Sequence, residues 1–121
     1  MDKEPIEPKF DLEERTFKFA QRVRAWIRKL PRTLTNREDA KQLTRSSGSV
    51  GANYIEANEG LGPKDFRMHL KICRKEAKES KFFIGLIDCG ENKVLKQEQE
   101  NLRLEADQLT RILGAIIRKK A

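Results

Sequence analysis

Histidine is nearly absent from this sequence, and with it most of the chemistry that histidine supports. His69 is the single example, so no pair of imidazoles can hold a metal, and one histidine far along the chain from the Ser46, Ser47 and Ser49 cluster is weak support for a serine nucleophile. A di-iron helix bundle would need Glu-x-x-His pairs facing inward, and Phe66 occupies the place where the glutamate before His69 would stand. The two cysteines, Cys73 and Cys89, have no Cys/His partner set around them, which excludes a disulfide framework and a zinc spacing. No run approaches the roughly 18 apolar residues of a membrane span, and no apolar stretch follows the charged start. The expectation is a cytoplasmic chain with reduced thiols, no membrane association, no catalytic residues, no metal and no cofactor.

What is abundant is charge. Lys and Arg number 26 against 19 Asp and Glu, a net +7 that admits an anionic partner such as nucleic acid. The distribution is uneven: residues 1–14 carry six acids and two bases, whereas residues 15–37 carry eight bases and no acid. The first ten residues, with Pro5 and Pro8 and no apolar pattern, read as a flexible arm ahead of a single domain over 11–121.

Four apolar stripes follow, each alternating by three and four. Asp11 and Glu14 have the spacing of a helix cap, and the first stripe is Thr16, Phe19, Val23, Trp26 and Leu30, stopped by Pro31. Thr35 and Glu38 suggest the next cap, ahead of Ala40, Leu43, Ser47, Val50, Tyr54 and Ala57. Pro63 opens a third helix with Phe66, Leu70, Cys73, Ala77, Ser80, Ile84 and Ile87, and Gly90 closes it. The fourth stripe is Leu95, Gln99, Leu102, Ala106, Leu109, Leu113 and Ile116. Stripes of similar length with short connections predict an all-α, antiparallel up-down-up-down four-helix bundle. Thr16, Ser47, Ser80 and Gln99 place one polar residue on each stripe; they either form a buried polar layer or bond to their own helix backbones.

Several features exceed what a core needs. On the second helix Thr44, Gly48, Gly51 and Ile55 share a flank, at ~100° per residue. Two interior glycines cost on the order of 1 kcal/mol each against alanine. A smooth strip where another helix comes close would compensate, the helix belonging to the same bundle or to a neighbouring subunit. Phe17, Ile72, Phe83 and Leu86 lie off their stripes. With Gly48, Gly51 and Ile55 they make the expected homo-oligomer interface. Two basic rows remain: Arg15, Lys18, Arg22 and Lys29 on the first helix, and Arg67, Lys71, Arg74, Lys78 and Lys81 on the third. Such rows suit a phosphate backbone, although charged flanks are also what bundle helices normally show to water. Gly48-Ser49-Val50-Gly51 formally matches a Gly-x-x-Gly RNA clamp, but its helical setting argues against that use, and it lacks the ending of a phosphate loop.

The segments Arg45-Ser-Ser-Gly-Ser-Val-Gly-Ala-Asn-Tyr-Ile-Glu-Ala57, Lys64-Asp-Phe-Arg-Met-His-Leu-Lys-Ile and Lys75-Glu-Ala-Lys-Glu-Ser80 resemble the four-helix family named for proteins encoded in intervening sequences of bacterial 23S ribosomal RNA genes. The resemblance covers essentially everything after the arm, with Gly48, Gly51, Glu56, Asp65, Phe66 and Glu76 at family-typical positions. It implies an up-down bundle that assembles as a pentameric ring without known catalysis. Related members look like the accessory variability determinants of diversity-generating retroelements, basic pentameric barrels that bind nucleic acid and a reverse transcriptase. Residues and resemblance together lead to the expectation of a non-enzymatic, ring-forming scaffold for RNA or DNA. The alternative is a protein-interaction adaptor, such as an accessory subunit of a reverse transcriptase.

Overall fold

The computed structural model describes residues 8–119, with side chains from Leu12 onward. Residues 1–7 of the expected arm lie outside the described residues. The described chain forms four helices and no strand: α1 (Pro8–Ile27), α2 (Leu34–Glu59), α3 (Pro63–Leu86) and α4 (Lys93–Lys119). Each helix packs against two others, α1 beside α2 and α4, and α3 beside α2 and α4.

Helix ends differ from the sequence expectation by one turn or less, each for a local reason. α1 begins at Pro8 rather than after Asp11, since proline's missing N–H costs nothing in a first turn. It stops at Ile27, and the chain tightens beyond it: Lys29 N donates to Trp26 O (3.0 Å) and Leu30 N to Ile27 O (3.1 Å), the three-residue spacing of a narrowing turn ahead of Pro31. The cap of α2 is Thr33, two residues before the expected Thr35, with its hydroxyl accepting from Asn36 N at 3.1 Å. α3 opens at Pro63 behind Gly62, whose φ of 134° favours glycine, and ends at Leu86, before Gly90. Asn92 caps α4 by accepting from Leu95 N at 3.0 Å.

The stripes meet in one core. Leu12, Phe19, Val23, Trp26 and Leu30 from α1 and its exit are buried with Leu43, Val50 and Tyr54, with Leu70, Cys73, Ala77 and Ile84, and with Leu102, Ala106, Leu109 and Leu113. On α4 the stripe ends on Ile117, while Ile116 is only partly buried. The four polar stripe residues do not form a single layer. Thr16 Oγ1 donates to Leu12 O (2.7 Å) and Ser47 Oγ to Thr44 O (3.3 Å), both within their own helices. Ser80 instead pairs with Ser46 across α2 and α3 (2.9 Å). Gln99 Nε2 donates to Ile84 O (2.9 Å) and Ile87 O (2.8 Å), satisfying carbonyls that the end of α3 leaves without a helical donor. The Trp26 indole finds Leu95 O at 3.0 Å, so its polar edge is satisfied inside the core.

Asn36 fastens the two loops at one end of the molecule. It is 3% exposed; its amide donates to Pro31 O (3.0 Å) and Asp88 O (2.8 Å), and its carbonyl accepts from Asp88 N (3.0 Å). One side chain thereby joins the α1–α2 connection to the α3–α4 connection.

Candidate nucleic-acid interface

The two basic rows share a seven-residue rhythm but meet different surroundings. On α1, Arg15 Nε donates to Glu105 Oε2 (2.7 Å), and its Nη2 reaches Glu105 Oε1 (3.0 Å) and Gln108 Oε1 (2.6 Å). Arg22 forms the same forked pair with Glu98 at 3.2 and 3.4 Å. Lys18 lies 3.1 Å from Glu14, one turn earlier. Within this row Lys29 has no carboxylate within ion-pair reach among the described residues. Two of the four, Arg15 and Arg22, are therefore engaged in holding α1 to α4. The readable signal was on α4: Glu98 and Glu105 are seven residues apart, as are Arg15 and Arg22, and only the packing brings the two spacings into register.

The α3 row keeps its charge. Arg67, Lys71, Arg74 and Lys78 have no carboxylate within ion-pair reach among the described residues, and only Lys81 is paired, with Asp107 at 2.8 Å. Asp107 is shared with Arg111 (2.9 Å), and these contacts, the Lys81 hydrogen bond first, hold its carboxyl below the usual carboxylate range. Lys71 and Lys78 are exposed, while Arg67 and Arg74 are half-buried. Arg74 lies over Gly114 of α4: a Cβ placed on that glycine would meet Arg74 Nη1 at 3.7 Å and Arg118 Nη1 at 3.5 Å. Arg118 thus joins the row from the neighbouring helix, an addition that spacing within α3 cannot reveal. Lys71, Arg74, Lys75 and Lys78 line a surface depression of about 400 Å³ together with Glu79 and Phe82.

The glycine strip is spent inside the chain. A Cβ on Gly51 would meet Thr16 Oγ1 at 2.9 Å, and one on Gly48 would meet Arg24 Nη2 at 3.1 Å, so both glycines admit α1. Of the two helices such a strip could admit, the one that comes close here is α1 of the same chain. Arg24, made room for by Gly48, donates to Ala20 O (3.1 Å) and Thr44 O (3.1 Å). Phe83 is half-buried and packs against the core, whereas Phe82 beside it is 61% exposed. Ile72 is half-buried, and Phe17, Ile55 and Leu86 are exposed as expected.

Other polar groups come together on α2 and α3. His69 sits between Asn53 Oδ1 (3.2 Å) and Asp65 Oδ1 (3.5 Å). Glu76, 5% exposed, lies 3.6 Å from both Arg45 and Lys75. Among the described residues no three His, Cys, Asp or Glu side chains gather as a metal site. Among them, too, no helix is long and apolar enough to cross a membrane.

Four packed helices with an unpaired basic row on one of them define a small all-α protein whose distinctive surface is electrostatic. The family model for the 23S rRNA-intervening sequence protein matches residues 9–115, and the chain belongs to that family. It is also similar to a crystal structure from Bacteroides thetaiotaomicron, a protein of unknown function from the S23 ribosomal protein family. The two share 25% identity at a TM-score of 0.73, over 87% of this chain and 96% of the other. No curated protein matches the chain.

Proposed function

We propose that this chain is a non-enzymatic, basic scaffold of the cytoplasm that binds nucleic acid as a homo-oligomeric ring, a pentamer. The observation that carries the reading is the run Arg67, Lys71, Arg74 and Lys78, four cations along one side of α3 with no carboxylate partner among the described residues, next to Arg118 of α4. Unpaired cations in a row release counterions when they neutralise a phosphate backbone, at about 0.9 in the salt slope per phosphate on duplex DNA. The helices are read as antiparallel in up-down-up-down order. In support, Arg15 and Arg22 ascend α1 while their partners Glu105 and Glu98 descend α4.

Charge reversal of Arg67, Lys71, Arg74 and Lys78, followed by fluorescence anisotropy on RNA and DNA across a salt series, tests the assignment. Weaker binding and a shallower salt slope are expected; unchanged, salt-insensitive affinity rejects this surface. Sedimentation at micromolar concentration tests the ring, and a mass equal to one chain refutes it.

A second reading, a protein-interaction adaptor such as an accessory subunit of a reverse transcriptase, draws on the exposed Phe17, Ile55, Phe82 and Leu86. A complex that survives nuclease and high salt favours it.

A further inference from the structure

Bases that neither row contains gather elsewhere. Where α1 gives way to α2, a cleft of about 570 Å³ opens between the two helices, within the size range of small-molecule sites. Ile27, Leu30 and Pro31 form its apolar side, and Arg28, Arg32 and Arg37 line it as well. All three arginines are exposed, and none has a carboxylate within ion-pair reach among the described residues. Lys41 adds a fourth cation, compensated only loosely by Glu38 at 3.8 Å. No acid lines the cleft among the described residues.

Cations brought together in this way repel one another, and a bound anion relieves that repulsion. The backbone of the cleft at Pro31 is also held before any ligand arrives, because the buried Asn36 ties Pro31 O to the backbone of Asp88 and its carbonyl is already taken by Asp88 N. Preorganisation lowers the ordering cost that binding must overcome. A fully hydrated anion would make no use of Ile27, Leu30 and Pro31, whereas a ligand with a flat apolar ring beside a phosphate uses both sides. Guanidinium planes add a further surface on which a base can lie.

We infer that this cleft binds a nucleoside monophosphate unit, its phosphate among Arg28, Arg32 and Arg37 and its base on the Ile27–Leu30–Pro31 side. Two sources offer that chemistry: a free nucleotide, or the phosphorylated end of a strand held by the α3 row. Only the second rests on the nucleic-acid reading above.

The test compares a short single-stranded oligonucleotide with a 5′-phosphate, the same strand with a 5′-hydroxyl, and a nucleoside 5′-monophosphate. Each is titrated against the unaltered chain, the Arg32→Gln/Arg37→Gln variant and the α3 charge-reversal variant. For a strand end, the 5′-phosphate strengthens binding by about three- to tenfold, the scale of one or two exposed charge-assisted contacts. That preference disappears in Arg32→Gln/Arg37→Gln and persists in the α3 variant, although overall affinity falls there. For a free nucleotide, the monophosphate binds the unaltered chain and loses affinity in the arginine variant, even if no strand binds; the nucleic-acid reading then fails while the cleft stands. The inference is overturned if the unaltered chain shows neither monophosphate binding nor a 5′-phosphate preference, or if either effect survives Arg32→Gln/Arg37→Gln. Both substitutions fall on exposed side chains outside the core, and a thermal melt matching the unaltered chain verifies the fold.

Discussion

Gly48 and Gly51 stand three residues apart on α2, yet a methyl group added at each meets a different obstacle. At Gly48 it meets Arg24 Nη2 at 3.1 Å, the far end of a long side chain that need give way by only a few tenths of an ångström. At Gly51 it meets Thr16 Oγ1 at 2.9 Å, with Thr16 Cβ at 3.4 Å, and Thr16 is 1% exposed with its hydroxyl bonded to Leu12 O. Overpacking costs about 1–3 kcal/mol and the gain in helix propensity returns about 1 kcal/mol. Gly51→Ala should therefore lower unfolding free energy by up to about 2 kcal/mol, while Gly48→Ala leaves it unchanged or raises it by up to about 1 kcal/mol. Denaturant titration measures both. Combining Gly51→Ala with Thr16→Ala should recover part of the loss, and additivity within about 0.3 kcal/mol would show that Thr16 is not the obstacle. Cys73 offers a second check at this scale. Burial pushes its thiol up to about 12 from an ordinary 9.0. The native state thus keeps a proton that the unfolded chain gives up, so this contribution to stability is whole below pH 9 and shrinks as pH rises from there towards 12. A thiol reagent at about pH 8, near the ordinary thiol range, should leave Cys73 unmodified in the native protein and label it in denaturant; rapid native labelling would contradict the burial.

Among the elements, the connections hold more that periodicity cannot see than the helices do. Periodicity was enough to find four helices and nearly every core position, since each stripe repeats the same spacing over several turns. It could not find Asn36, whose partners Pro31 and Asp88 come from two connections distant in sequence. Nor could it decide that Gln99 closes α3 while Thr16 bonds within α1, because both occupy the same kind of stripe position. Capping patterns misled by two residues at Thr33, where two threonines flank a single leucine and only backbone geometry selects between them. Asn36→Ala should cost about 1–3 kcal/mol, the range for leaving buried backbone groups unpaired. A denaturation midpoint indistinguishable from that of the unaltered chain would mean that water replaces the amide. The link between α3 and α4 responds to acid instead. The Asp107 carboxyl is held down by Lys81 and then Arg111, so its contribution is present above the ordinary carboxylate range and lost as pH falls through the lowered value. Asp107→Asn should flatten the acid limb of the stability profile; an unchanged limb would assign acid sensitivity to other carboxylates.

For the whole molecule, the net charge of +7 conceals a division of labour. Arg15 and Arg22 are committed to Glu105 and Glu98, and Lys81 to Asp107, so these bases hold helices together. Arg67, Lys71, Arg74 and Lys78 have no such commitment among the described residues, and Arg74 faces another cation, Arg118, across Gly114. A count of bases along one helix cannot separate the groups, because the acids that distinguish them arrive from a different helix. Two substitutions of the same kind should consequently have opposite effects. Arg15→Gln leaves Glu105, whose side chain is 18% exposed, without its forked partner, and should lower stability by roughly 1 kcal/mol. Corrected for the folded fraction, its nucleic-acid affinity and salt slope should match those of the unaltered chain. Arg74→Gln removes like-charge repulsion beside Arg118 and should leave stability unchanged or raise it by a few tenths of a kcal/mol, at about the size of a surface charge pair. It should also reduce the salt slope by roughly one, since one phosphate fewer is neutralised and its counterion stays condensed on the strand. Melting curves and anisotropy titrations on the same two proteins decide the matter. If Arg15→Gln weakens binding as much as Arg74→Gln does, the intramolecular pairs open when nucleic acid arrives and the α1 row returns to the interface.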